Sequence, residues 1–327
     1  MSLHIITLYR YLVKRGRRIK LNLKKSSRIS FLLSIILTTI FMGSSFPTGK
    51  YLISLNHAPP FLIGSWRFIS AGILMLLLTL LTKGVSKVIP KSNGRVTSGF
   101  LLVTVIGILQ TTGTMGFLNL AMSKGLSSSM SSIILFTNPL WLAILAHFLL
   151  NDKLNKWKIL SLFLGIMGVI LCLGLDKTAF SVGAFFALLG SFCWSINTVI
   201  TKRVPFDQGS WVFTGWQLLI GGIGMFVIST FLHEHYNLTQ IDTTGWFCFI
   251  WLILPASIGS FGLWFHSLKQ GGATSASSFL FLVPLFSTIF SMIGLHDRFT
   301  LGLVIGGILI IFSLILVNKS IPDTGGD

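Results

Sequence analysis

Met42-Gly43-Ser44-Ser45-Phe46-Pro47-Thr48-Gly49-Lys50 and Trp194-Ser195-Ile196-Asn197-Thr198-Val199-Ile200-Thr201-Lys202 decide the reading of this chain. Each stretch closes a long apolar run, sets small hydroxylated residues where hydrocarbon-facing leucines are expected, and stops on a lysine. Two such endings in one chain point to an internal duplication.

Outward from these stretches the composition gives the class. Of 327 residues 52% are hydrophobic and only 10% are charged, and the mean hydropathy is +0.83. The apolar residues arrive in blocks near the length of about 20 helical residues that crosses a hydrocarbon core of roughly 30 Å. Ten blocks are read, at 31–50, 61–82, 98–121, 126–149, 158–175, 179–202, 211–232, 245–268, 273–295 and 300–318. They predict an all-α integral membrane protein of ten spans, since buried helices of a soluble protein would be shorter and keep a polar face.

The net charge of +17 is not a nucleic-acid footprint, because nine of the 25 Lys and Arg lie before residue 29 and most others sit in short loops. With a cytoplasmic start, Lys83, Lys87, Lys91, Arg95, Lys153, Lys156, Lys158, Lys202, Arg203, Lys269 and Lys319 join the N-terminal arm inside. Only Lys124, Lys177 and Arg298 fall in outside loops. That bias predicts both termini in the cytoplasm of a multi-pass cell (inner) membrane protein. The arm, residues 1–29, is too basic for a cleavable signal and is read as an interfacial helix or a disordered tail. Cys172, Cys193 and Cys248 lie within spans without metal-ligand spacing.

The second half repeats the first pair by pair. Gly64-Ser65-Trp66-Arg67-Phe68 before Ala71-Gly72 matches Thr214-Gly215-Trp216-Gln217-Leu218 before Gly221-Gly222. Asn119 to Gly125 matches Phe265 to Gly271, Pro139-Leu140 matches Pro284-Leu285, and Asn151-Asp152-Lys153 matches His296-Asp297-Arg298. The repeats are placed at 30–175 and 178–318, followed by a tail, 319–327. Five spans per repeat force the second copy to enter the membrane from the opposite side, so the copies are inverted, and such repeats place a solute site between them near the midplane.

These features resemble the EamA-type transporters of the drug/metabolite transporter superfamily: two five-helix repeats, helix-one endings on lysine, Trp66-Arg67-Phe68, Pro139 and Pro284, and an acidic residue after helices four and nine. The resemblance covers about residues 30 to 318. This chain has Met42-Gly43 where the family usually has Trp-Gly, and Asp152 and Asp297 where it usually has Glu. The resemblance implies export of amino acids or other small metabolites without fixing the solute.

All eight acidic residues lie in loops or the tail, which ranks a multidrug exporter of organic cations below a carrier of neutral or zwitterionic solutes, since cation export usually uses an intramembrane acid. Arg67 is the charge well inside a span, a charge anchor for a solute carboxylate or a packing cation. Lys50 and Lys202 are read as lysines snorkelling from span ends. Ser45, Gln110, Thr114, Asn138, Asn197, Thr198 and Ser260 are candidate hydrogen-bonding groups of the cavity, with interhelical bonding as the alternative for each. Phe46, Trp194 and Trp264 are candidates for its apolar wall, while Trp141, Trp157, Trp211, Trp246 and Trp251 read as interfacial belt residues. His147 and His266 are candidate proton-linked groups.

No phosphate-cradling loop, metal pair or nucleophile elbow is found. The expectation is therefore a secondary transporter with no enzyme activity, metal or cofactor, whose partners are a small-molecule solute and the lipid bilayer. A passive channel or facilitator, and a non-transporting membrane receptor, remain alternatives. The spacings Gly302 to Gly306 and Ser161 to Gly165 allow close helix packing in a monomer or a homodimer.

Overall fold

The computed structural model describes residues 2–149, 156–173, 181–280, 282–297 and 300–319. Among these the protein is all-helical, apart from an isolated bridge between Ser92 and Arg95. In chain order the helices are α1 (Ser2–Ser54), α2 (Pro60–Lys83), α3 (Val96–Ser123), α4 (Ser128–Leu149), α5 (Lys156–Leu173), α6 (Val182–Arg203), α7 (Ser210–Phe231), α8 (243–279), α9 (Leu282–Leu295) and α10 (Leu301–Lys319). The backbone of the basic arm runs into the first span as one helix. Local chemistry sets the ends. Pro60 opens α2, where its missing N–H has no intrahelical partner to lose. Ser127, Ser181 and Asp242 cap α4, α6 and α8 by accepting from the N–H of Met130, Ala184 and Gly245.

Seven stretches, in α1 to α4 and α6 to α8, are long and apolar enough to cross a membrane. Ile159–Leu171, Leu282–Leu295 and Leu301–Ser313 are shorter apolar helices at the fifth, ninth and tenth expected spans. Pro284 accounts for the shortening at the ninth, and Pro139 interrupts α4, which stays long enough to cross. Proline lacks the N–H that would bond the preceding turn, and its ring crowds that turn. Accordingly α4 is interrupted at Phe136 and Thr137 ahead of Pro139, and the predicted span 273–295 is interrupted after Phe279, ahead of Pro284. The break expected near residues 269–272 is instead continuous helix.

Glycines decide which helices touch. A β-carbon at Gly72 would lie 2.6 Å from the backbone nitrogen of Leu219, and one at Gly222 would lie 2.8 Å from that of Ile69, so α2 and α7 pack backbone to backbone. In the same way Gly168 meets the Gly306 carbonyl and Gly302 the Leu171 carbonyl, which joins α5 to α10. The small-residue spacings of these two helices are thus used inside the monomer. α1 packs on α8 and α9, while α6 packs on α3 and α4. The first helix of each sequence repeat therefore docks on the other repeat, and the surface dividing the molecule does not follow the sequence halves.

Two tryptophans depart from the expected belt. Trp251 Nε1 donates to Ser44 Oγ at 2.8 Å and Trp211 Nε1 to the Met75 carbonyl at 3.2 Å, so both bridge helices. Trp157 and Trp246 are exposed, and Trp141 packs edge-on against Phe192.

Gly72→Val should destabilise the protein by about 1–3 kcal/mol, because the added carbons meet backbone that cannot move aside. Gly294→Ala, which adds a carbon in open space, should be neutral or slightly stabilising. Thermal unfolding in detergent compares the two.

Candidate functional site

Leu33, Ile36 and Leu37 form the exposed stripe of α1. At about 100° per residue, Met42 lies half a turn round from Leu33 and faces the interior, yet it keeps accessible surface. In α6, Trp194 stands in the same relation to exposed Phe185 and is likewise partly accessible. Met42 and Trp194 occupy matching positions of the two quoted stretches. Inward side chains that keep accessible surface are candidates to line a crevice.

Arg67 gives the same result from α2. Its side chain keeps accessible surface on a helix that packs against α7 and α8, so a crevice between these helices would reach it. Its Nε donates to Ser257 Oγ at 3.2 Å and its guanidinium carbon lies 4.6 Å from the Phe68 ring centroid. Among the described residues no carboxylate stands close enough to neutralise it.

Two π-turns frame the crevice, at Gly107–Met115 in α3 and Leu254–Gly259 in α8. They fall at matching positions of the repeat. A π-turn leaves carbonyls without their usual partners, and hydroxyls make up part of the loss: Thr114 Oγ1 donates to the Leu109 carbonyl and Ser257 Oγ to that of Leu252, each five residues back. Such turns recur at functional sites. The matching extends to the neighbours. Thr111 of one π-turn donates to the Gln217 carbonyl, while Ser257 of the other accepts from Arg67. Gln217 and Arg67 are repeat-matched, so the two halves differ here by one positive charge.

Toward the end of the bundle that carries Lys50, Phe46, Ile63, Leu118, Met122, Leu135, Phe136 and Val283 belong to one buried apolar cluster. Met42, Trp66, Met115, Trp194 and Leu280 stand at its edge, with Trp194 edge-on to Phe136 at 5.4 Å between centroids. Beyond the cluster, a shallow concavity of about 700 Å³ lined by Trp66, Tyr236 and Gln240 opens at the rim.

The residues singled out in the sequence divide. Trp194 and Trp264 are partly accessible, whereas Phe46 is 5% exposed within the buried apolar cluster. Asn197 Nδ2 donates to Gln110 Oε1 at 2.7 Å, which joins α6 to α3. Ser195 Oγ donates to the Asn138 carbonyl at 2.7 Å, satisfying a group beside Pro139. Ser45, Thr198 and Ser260 bond carbonyls of their own helices, and Thr114 bonds its π-turn. His147 lies against Phe148, and His266 Nε2 is 3.0 Å from Ser30 Oγ at an exposed position. Asp152 lies outside the described residues. Met42 and Met115 were missed, since an apolar side chain in an apolar helix carries no signal. Lys50 does not snorkel: its Nζ donates to the Met122 carbonyl at 2.7 Å.

A family model of EamA-like transporters matches residues 29–174 and again 181–319. The chain belongs to the EamA-like transporter family. Relatives agree along most of its length. The uncharacterized transporter YyaM of Bacillus subtilis is 26% identical over 286 residues, covering 86% of this chain and 90% of that protein. YvbV, an uncharacterized transporter of the same organism, is 28% identical over 298 residues, covering 89% and 92%. A chloroplastic WAT1-related protein of Arabidopsis thaliana is 26% identical over 288 residues, covering 85% of this chain and 67% of that protein. A solved crystal structure at 18% identity superposes with a TM-score of 0.60 over 90% of this chain and 99% of that one, a likeness of fold. This EamA-like protein is thus a multi-pass membrane transporter.

With Cys172, Cys193 and Cys248 replaced by serine, Met42→Cys should react with a small water-soluble thiol reagent in detergent at least tenfold faster than Phe46→Cys. Equal rates measured by mass spectrometry would remove the crevice.

Proposed function

We propose that this transporter is a secondary carrier that exports small neutral or zwitterionic metabolites, amino acids first, by alternating access without ATP. In this reading the ten helices form an inverted 5+5 repeat in the cell (inner) membrane, with both termini in the cytoplasm and the Lys50 end outside. The lysine and arginine bias of the loops supports the orientation. The repeat-matched π-turns and exchanged first helices support the inverted repeat.

Arg67 carries the reading. A guanidinium that lines a crevice with no described carboxylate beside it offers planar, charge-assisted hydrogen bonds to a solute carboxylate. Its repeat partner Gln217 is neutral, so one charge on the solute suffices. Met42, Met115 and Trp194 supply an apolar wall for the rest of the solute. In this reading Ser45, Asn138 and Trp264, which keep accessible surface, add to its margins, and the Gln110–Asn197 pair joins α3 to α6. The acidic residues lie outside the helix centres, which argues against organic cations as cargo.

The experiment is counterflow of labelled amino acids in proteoliposomes. Saturable exchange is expected, and Arg67→Gln should raise KM about ten- to a hundredfold, the loss of hydrogen bonds to a charged group worth roughly 1.5–3 kcal/mol. A channel would show no accelerated exchange. An unchanged KM in Arg67→Gln would remove the anchor.

A further inference from the structure

The end of the bundle that holds Lys50 is closed by a polar cluster that the transport reading does not use. Asp297, in the turn after α9, is half-buried. Its carboxyl faces the N–H groups of Ser129 and Ser128 at the start of α4, with Lys50 of α1 near enough to attract it. Burial pushes this carboxyl above the usual carboxylate range, and those N–H groups and Lys50 pull it back. Asp297 N donates to the Ser291 carbonyl and Ser287 Oγ to that of Ser128, so the turn, α9 and the tip of α4 are joined. Lys50 Nζ, bonded to the Met122 carbonyl, adds the end of α3.

This closure is poised to open. Ser128 Oγ, Ser131 Oγ and Ser291 Oγ are shut away from solvent without a hydrogen-bond partner, while the Ser129 hydroxyl stands beside the Asp297 carboxyl and helps to hold it. Buried polar groups without partners are unfavourable and regain bonds when water reaches them. Separating α9 from α4 would let water reach the serines at this contact, which offsets part of the packing given up. An interface meant to stay shut would satisfy them.

The other end differs. Lys202, the repeat match of Lys50, is exposed, and Thr198, the match of buried Phe46, keeps accessible surface. α1 packs against the ends of α3 and α4, but among the described residues α6 packs less on Ser260–Phe279, the matching segment of α8. Repeat-equivalent parts are therefore engaged at one end and apart at the other.

We propose that Lys50, Asp297 and the Ser128-Ser129 start of α4 form the gate of the Lys50 end, closed in this structure while the Lys202 end is open. The proposal rests on the alternating-access reading. It assigns Lys50 and Asp297 the work of holding α1 and α9 against α3 and α4. Weakening them shifts the population toward the state open at the Lys50 end.

The test uses the full chain without its three cysteines, in detergent and without solute, with near-isosteric reporters. Ser291→Cys reports the gate and Thr198→Cys the opposite end, each read as the rate of reaction with a water-soluble thiol reagent. Alone, Thr198→Cys should react fast and Ser291→Cys slowly. Adding Asp297→Asn or Lys50→Gln should speed Ser291→Cys at least tenfold and slow Thr198→Cys, while Asp297→Glu should leave both near their starting rates. A rise at both reporters would mean general loosening and would overturn the gate, as would no change at either. Because no solute is involved, the gate can fail while counterflow succeeds, and it can hold while the Arg67 anchor fails.

Discussion

Within hydrocarbon no water satisfies polar groups, so every donor and acceptor in a span must find its partner inside the protein. Most of this structure follows from that constraint. Hydroxyls turn back onto carbonyls of their own helices, as in Thr38, Ser45 and Thr198. Indoles reach across to neighbouring helices, and the carbonyls released at the two π-turns are taken up by Thr114 and Ser257. Two places stand out against this pattern: the partly accessible guanidinium of Arg67 and the dry hydroxyls of Ser128, Ser131 and Ser291 near Asp297.

Those two places have different physics. Arg67 is held by one hydrogen bond and an aromatic face, so much of its hydrogen-bonding capacity points to whatever occupies the crevice. The serines at the start of α4 face α9 directly, and their cost is borne by protein packing alone. The first is a place where a ligand completes the structure. At the second, water would complete it.

Much of the architecture was legible in the sequence because hydropathy and proline act locally. The apolar blocks located the helices, and Pro139 and Pro284 marked the interrupted segments, although the break before Pro284 was placed too early. Trp194 and Arg67 draw notice in the sequence because a tryptophan in a repeat-matched stretch and a charge within a span are conspicuous. Met42 and Met115 could not, because only an inward orientation separates them from their neighbours. Lys50 illustrates the limit in the other direction. Its position at a span end suggests snorkelling, and only the approach of α3 supplies the Met122 carbonyl that holds it inside.

The sequence by itself determined a membrane protein of helices arranged as a duplication, and its family, because these rest on composition and on order along the chain. The tertiary structure alone decided that α1 docks on α8 and α9, that α6 docks on α3 and α4, and that Lys50 and Asp297 meet the ends of α3 and α4. The physical reason is that lipid tails are as apolar as leucine, so hydropathy gives no helix a preferred neighbour. Contact is chosen by where glycines let backbones approach and where hydroxyls, indoles and charges find partners. Those are properties of faces brought together in space.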